Sequence, residues 1–341
     1  MEIAVVGSGG WGTAIAMLLH ENRHEVTLIS YSKEESDNLA RKLENPFLPG
    51  VRLPEDLRYT SDPAAVSECT VVVVVPPSFA IRSTAEKIAP HLRPDVVLVS
   101  ATKGIEAETG MRMSEIVAEV TGKQVVVLSG PSHAEEVSRR VPTGVVAACT
   151  ERLPAEIVQE VFMNDHFRVY TSSDPTGVEL GAAMKNVIAL CAGVCDGMGY
   201  GDNTKALLMT RGLTEVARLG MKLGSRTDTF AGLAGIGDLI VTCTSMHSRN
   251  RRAGILIGSG MSVDEAMKEV GAVVEGYYAT QAVKLLADRI GVDMPITQAA
   301  YQVLYQNAPV SSALDSLMTR KKGCEVEDAG WSRACAEPAR A

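Results

Sequence analysis

The first half of the chain alternates short, uninterrupted apolar runs with segments whose apolar residues recur at helical spacing. Residues 3–6, 26–30, 71–75, 96–100, 125–129 and 145–148 are rich in Val, Ile and Ala and predict strands. Their continuous rather than alternating hydrophobicity predicts burial on both faces, as in a parallel sheet covered by helices. Strands alternating with helices predict a doubly wound α/β domain. Pro76 and Pro77 stop one Val run at its carboxyl end, the edge of such sheets where ligands bind.

After about Asp174 that rhythm disappears. Helical periodicity takes over at 175–194, 205–223, 262–270, 280–290 and 295–306, with a glycine-broken segment around 231–244. Ser262 and Glu265 have the spacing of a capping box at the start of one helix. The expected organisation is a Rossmann-like domain over 1–171 and an all-α domain over 172–322. The polar, aperiodic stretch 323–341 is expected to be a mobile tail.

A length of 341 residues agrees with two domains, and 46% hydrophobic with 22% charged residues excludes a disordered chain. The net charge of −8 argues against nucleic acid as a partner. Residues 1–171 hold 16 Lys+Arg and 23 Asp+Glu, residues 172–341 hold 17 and 18, so an anionic ligand must be attracted by local groups. Seven scattered cysteines form no C-x-x-C pair and read as reduced thiols of a cytoplasmic protein. No signal peptide is expected, because the chain opens directly on a strand. The apolar stretch 178–195 contains Glu179, Lys185 and Asn186, which makes it a poor membrane span. The six histidines show no metal-binding spacing, so no catalytic metal is expected.

Between the first strand and the first helix stands Gly7-Ser8-Gly9-Gly10-Trp11-Gly12, a G-x-G-x-x-G turn. Gly7 permits the tight turn, Gly9 lets the backbone approach a pyrophosphate, and Gly12 lets helix and strand pack closely. At the end of the second strand an NAD-selective carboxylate is missing. Ser30, Tyr31, Ser32 and Lys33 stand there instead, with Glu34 too late, which points to NADP(H) or dual use.

Lys103 follows a predicted strand at the ligand-binding edge, where a lone lysine is more often surface than catalytic. Gly130, Ser132 and Glu135 follow the next one; Ser132 and Glu135 are spaced as a capping box, though a helix start at that edge is also an anion site. Gly177, Gly181 and Lys185 are spaced by four on an otherwise apolar helix. An ammonium group so placed is costly unless paired or functional, and a lowered pKa suits proton exchange with a carbonyl or hydroxyl. A lysine reaching solvent at a rim is the plainer reading. Asp238 ends a small-residue segment, where it either pairs with such a lysine or caps the next helical turn. Ser248, Arg249, Asn250, Arg251 and Arg252 have the donor chemistry of a phosphate monoester site, or of a solvated basic face.

Taken in order, the segments GSGGWGT (7–13), NPFLPG (45–50), ATKGIE (101–106), SGPSHAE (129–135), GAAMKNVI (181–188), GMGYGDNTKALLMTR (197–211), GLAGIGDLIVTCTS (232–245), SRNRR (248–252) and VEG (274–276) resemble the bacterial NAD(P)-dependent glycerol-3-phosphate dehydrogenases. The resemblance runs to about residue 322. It implies a Rossmann domain and a helical domain with the active site between them, interconverting sn-glycerol 3-phosphate and dihydroxyacetone phosphate for phospholipid synthesis. By matched position it implies Lys185 as the proton-exchanging group, with Lys103 touching substrate and cofactor. Gly130, Ser132, Asp238, Ser248, Arg249 and Asn250 would hold the phosphorylated substrate. Gly10, Trp11, Tyr31, Ala134, Arg249, Val273 and Glu275 would line the NADP(H) or NAD(H) site, joined by Gly7, Gly9, Gly12 and Ser32 of the turn and the second strand's end. The chain departs from the family pattern at Gly10, Tyr31 and Pro77. A β-hydroxyacid dehydrogenase, a ketopantoate reductase and a non-catalytic NAD(P)H sensor remain as other readings, and a homodimer stays open.

Overall fold

The computed structural model describes residues 1–322, 324 and 325. The tail expected at 323–341 thus lies, but for two residues, outside the described ones. Eight strands form one sheet: β1 Glu2–Val6, β2 Glu25–Ile29, β3 Arg58–Thr60, β4 Val71–Val74, β5 Val97–Ser100, β6 Val125–Ser129, β7 Thr143–Ala148 and β8 Phe167–Ser172. Their order is β3-β2-β1-β4-β5-β6-β7-β8. The chain therefore moves outward from β1 to β3 and then crosses to β4, which puts a topological switch point between the carboxyl ends of β1 and β4. Helix Gly10–Glu21 packs on one face through Ala14, Ile15 and Leu18, and helices Ile81–Ile88 and Met113–Thr121 pack on the other.

β1 through β6 are parallel where they pair, as the continuous apolar runs predict. β7 departs from that expectation, since it pairs antiparallel with β6. β8, absent from the sequence-based expectation, pairs parallel with β7 and alternates buried with exposed positions because it is the sheet's edge. β3 has only three residues and no continuous apolar run.

From Pro175 onward the described chain is helical, built around helix Pro175–Gly197. Asp174 caps it, accepting from the Gly177 N–H at 2.8 Å, and Pro175 stands at a first-turn position where its missing N–H costs nothing. The helix is long and apolar enough to cross a membrane, but 89% of its most apolar window is buried inside the protein. Helix Arg249–Gly258 crosses it at backbone contact: a Cβ on Gly193 would stand 2.1 Å from Arg251 O, and one on Gly254 2.0 Å from Leu190 O. Only glycine allows that approach, and it draws the start of helix Arg249–Gly258 beside the middle of the core helix.

Two local expectations divide. The Ser262/Glu265 capping box forms. The Ser132/Glu135 one does not: the short helix Ala134–Val137 starts after His133, and the Ser132 hydroxyl instead donates to Gly130 O at 2.9 Å.

Candidate active site

The glycine-rich turn meets the switch point. Gly7 has φ +121°, and a Cβ there would stand 2.7 Å from Val75 O, just beyond β4. A Cβ on Gly12 would lie 1.9 Å from Gly7 O, so helix and turn touch backbone to backbone. Gly9 is different, because nothing among the described residues lies within 4 Å of where its Cβ would be. The turn is thus closed on the protein side and open on the other, and helix Gly10–Glu21 begins there with no side chain capping its N–H groups. Bare helix-start donors over an open glycine fit a dinucleotide's pyrophosphate. Gly10 faces Phe47 and Ala134, and the buried Trp11 Nε1 has no partner among the described residues.

At the end of β2, Tyr31 is 86% exposed and Ser32 caps the next helix by accepting from Glu35 N–H. A carboxylate does reach the turn, which the linear spacing concealed. Glu35, in the first turn of helix Lys33–Lys42, accepts from the Ser8 hydroxyl at 2.7 Å.

The cluster with the clearest chemistry joins the loop after β5 to the helical half of the chain. Asp238 is fully buried and takes two ammonium groups, Lys185 Nζ on Oδ1 at 2.5 Å and Lys103 Nζ on Oδ2 at 2.8 Å. Lys103 comes from the loop after β5 and also donates to Gly130 O at 3.1 Å. Lys185 comes from the core helix and donates to Thr242 Oγ1 at 2.8 Å, whose hydroxyl in turn donates to Asp238 O. Asp238 is delivered by a π-helical turn, Leu233–Gly237, that opens directly into helix Asp238–Thr244. Gly181 lets this turn press against the core helix, since a Cβ there would be 2.5 Å from Ala234 O. Of the two readings left open for Asp238, capping is therefore excluded and pairing is observed. Lys185 is buried as well, and its ammonium group turns to Asp238 and Thr242 rather than to a rim.

The Lys185 pKa is lowered to about 7: burial drives it down, the Asp238 carboxylate opposes that, and the neighbouring Lys103 adds to the lowering. Burial alone would raise the Asp238 pKa, but the two ammonium groups outweigh it and hold the carboxyl below its ordinary range. His133 also faces this cluster. Its pKa is lowered, first by burial and then by Lys185, and its Nε2 is buried without a hydrogen-bond partner among the described residues. No spacing rule joins His133 or Thr242 to the lysines, so sequence reasoning missed both; the i, i+4 step from Asp238 to Thr242 was the available signal.

The arginine run is sorted by its partners. Arg251 binds Asp196 and Thr244 O and is structural. Arg249 and Arg252 are exposed, and Ser248 caps the helix by accepting from Arg251 N–H. Asn250 is buried, donating to Asn186 Oδ1 at 2.9 Å and accepting from Gly276 N–H at 2.8 Å. That ties the arginine helix to the residue beside Lys185 and to helix Glu275–Ile290. Glu275, two residues after Val273, accepts from Ser78 Oγ at 2.6 Å; burial raises its pKa, while Ser78 and Arg249 work against that.

Residues 2–154 match the N-terminal part of NAD-dependent glycerol-3-phosphate dehydrogenases, and residues 174–315 match their C-terminal part. An NAD(P)+ glycerol-3-phosphate dehydrogenase of Moorella thermoacetica is 52% identical over 332 residues, covering 97% of this chain and 99% of the relative. One from Desulfitobacterium hafniense is 49% identical over 329 residues, 96% of this chain and 94% of the relative. The crystal structure of glycerol-3-phosphate dehydrogenase from Coxiella burnetii superposes with a TM-score of 0.90 at 36% identity, covering 94% of this chain and 99% of that one.

Proposed function

Because the chain belongs to the NAD-dependent glycerol-3-phosphate dehydrogenase family and is an NAD(P)-dependent oxidoreductase, we propose that Lys185 is the acid–base group of its reaction. In this reading residues 1–171 hold the dinucleotide and 172–322 the three-carbon phosphate. A nicotinamide held there would supply or take up a hydride at C2. As dihydroxyacetone phosphate is reduced, Lys185 Nζ–H passes its proton to the oxygen on C2 and is left as a neutral amine, which solvent reprotonates. A pKa of about 7 keeps both forms of Lys185 populated near neutrality, as proton exchange in both directions needs. Asp238 orients the amine and favours its charged form. Lys103, on the other carboxylate oxygen, polarises the carbonyl electrostatically.

The phosphate would be anchored by the Arg249 guanidinium and by the remaining amide hydrogen and backbone N–H of Asn250, with Ser248 setting the helix start. Gly130 and Ser132 would border the substrate on the sheet side. The dinucleotide would run from Gly9, Gly10 and Trp11 past Ala134, Val273 and Glu275, with Gly7 and Gly12 shaping the turn and Tyr31 and Ser32 at the adenosine end. Free thiols among the described residues suit a cytoplasmic enzyme supplying glycerol 3-phosphate for phospholipid synthesis.

The observation that carries this reading is the buried Lys185–Asp238–Lys103 cluster. Lys185→Met keeps the side chain's bulk and removes the exchangeable proton. NADPH oxidation with dihydroxyacetone phosphate should slow by a factor on the order of 10² to 10⁴ while NADPH affinity is retained. Near-normal turnover would remove the proposed role. An unphosphorylated 2-keto acid serving as well as dihydroxyacetone phosphate would favour the ketopantoate reductase reading.

A further inference from the structure

Tyr31 leaves the carboxyl end of β2 with its ring almost wholly in solvent, yet the ring is not alone. Lys87 Nζ lies 4.9 Å from its centroid. The two residues reach this place from either side of the glycine-rich turn. Tyr31 follows β2, and Lys87 sits on helix Ile81–Ile88, which comes after β4 and shares a core with Ile29 at the end of β2. In doubly wound dinucleotide domains the end of the second strand is where the adenosine ribose is read. A carboxylate there selects the free 2′-hydroxyl and a cation accommodates a 2′-phosphate.

The charges around the ring can be followed one by one. Lys33 is paired with Asp37 at 2.7 Å. Glu35 is turned towards Ser8 of the turn. Glu34 is exposed on the first turn of helix Lys33–Lys42. Lys87 is exposed, and among the described residues no carboxylate lies within salt-bridge distance of it. It is thus a cation held near the end of β2 by an aromatic face rather than by an anion, and it remains available to a second anion.

We propose that Lys87, presented on the ring of Tyr31, is the group that recognises the adenosine 2′-phosphate and biases this enzyme towards NADPH. The inference rests on the reading of the glycine-rich turn as the dinucleotide site. The Glu35 carboxylate, held at Ser8 of the turn, would oppose it, so the bias is moderate and NADH remains usable. Tyr31 is a positioning residue here, because its contribution is the face that holds the ammonium group rather than its hydroxyl.

Binding of two fragments that cannot turn over tests this, by calorimetry of ADP and of its 2′-phosphorylated form. The wild-type protein should prefer the 2′-phosphorylated nucleotide by roughly ten-fold, the worth of one charge-assisted contact, and the preference should shrink with added salt. Lys87→Ala should erase most of the preference with ADP affinity unchanged, and Lys87→Glu should reverse it. Tyr31→Leu should lose the preference as well, whatever its effect on ADP affinity, whereas Tyr31→Phe should keep it. An unchanged preference in Lys87→Ala overturns the proposal, as does a wild-type protein without preference. Equal loss of both nucleotides in Lys87→Ala overturns it too, because Lys87 would then serve binding in general. A wild-type protein that binds neither nucleotide would instead overturn the dinucleotide site itself, and this inference with it.

Discussion

Replacing Asp238 with Asn changes one oxygen for an amide and removes the negative charge that Lys185 and Lys103 share. The carboxylate is fully buried, so its charge acts on both ammonium groups with little screening. An opposite charge at this range is worth roughly one to three pKa units. Lys185 stands at about 7 with Asp238 in place, which leaves it about half protonated at neutral pH. Without the carboxylate its pKa falls by roughly one to three units, and the protonated fraction at pH 7 drops by about five-fold to about five-hundred-fold. Ketone reduction needs that proton. The kcat/KM for dihydroxyacetone phosphate should therefore fall by at least several-fold at pH 7, and part of the loss should return as the pH is lowered. The assay is a kcat/KM profile from pH 5 to 9 for both proteins, with thermal unfolding alongside to identify partly folded material. In the variant the limb should move acidic by one to three units. If the variant is uniformly slower and its limb stays near pH 7, the titrating group is not Lys185 and the proton-transfer assignment is wrong.

Other expectations follow from geometry or burial. Gly9→Ala should leave unfolding unchanged and weaken NADPH binding in a fluorescence titration, since its Cβ meets no protein atom but points where the pyrophosphate would lie; Gly12→Ala, with its Cβ 1.9 Å from Gly7 O, should lower the unfolding midpoint as well. Glu215 accepts from the Ile296 and Thr297 N–H groups inside the helical domain, and burial raises its pKa to about 7. The folded state then holds a proton that the unfolded state has lost between about pH 4.5 and 7, so this group's stability contribution is present at low pH and declines by about 3 kcal/mol across that window. Glu215→Gln should flatten that part of the urea-unfolding profile, and an unaltered slope would clear Glu215 of the effect. Glu179, buried on the core helix, takes the Arg112 guanidinium and the Ser114 N–H and hydroxyl from the sheet domain. Glu179→Ala should cost roughly 3 to 5 kcal/mol in urea unfolding, as breaking a buried pair does, and a loss under 1 kcal/mol would mean the domains are held elsewhere.

The parts of this molecule legible in its sequence are those with a local cause. Continuous Val runs revealed β1, β4, β5 and β6 because burial on both faces forbids polar alternation. The glycine turn was legible because helix, strand and turn need glycine for three separate steric reasons. The parts that stayed hidden depend on the sheet being assembled. β8 is an alternating edge strand whose pattern has meaning only once β7 lies beside it. Glu35 stands too far along the chain to count as an acid at the end of β2, yet its helix turns it back onto Ser8. His133 looked like part of a helix start, and only the fold brings it to Lys185. Lys185 itself was visible because an ammonium group on an apolar helix violates a local rule. Its partners were suggested by chemistry rather than by pattern.

The charge arithmetic now has a structural meaning. A chain of net −8 repels a phosphorylated substrate at long range, so its attraction must come from a few groups at close quarters. The site keeps Arg249 without a salt-bridge partner among the described residues and neutralises Arg251 with Asp196. It places two lysines on one carboxylate, so the cluster is at most singly positive, and Lys185 is the member able to give its charge up. Asn250 links the arginine helix to Asn186, the residue next to Lys185, so the proposed phosphate anchor and proton donor share one rigid crossing of two helices. A substrate phosphate arriving there adds negative charge near an amine that burial has half deprotonated, and negative charge nearby favours the ammonium form. In this reading the substrate protonates the group that will reduce it. The backbone contact of Gly193 and Gly254 is then more than packing, because it sets the distance over which that coupling acts.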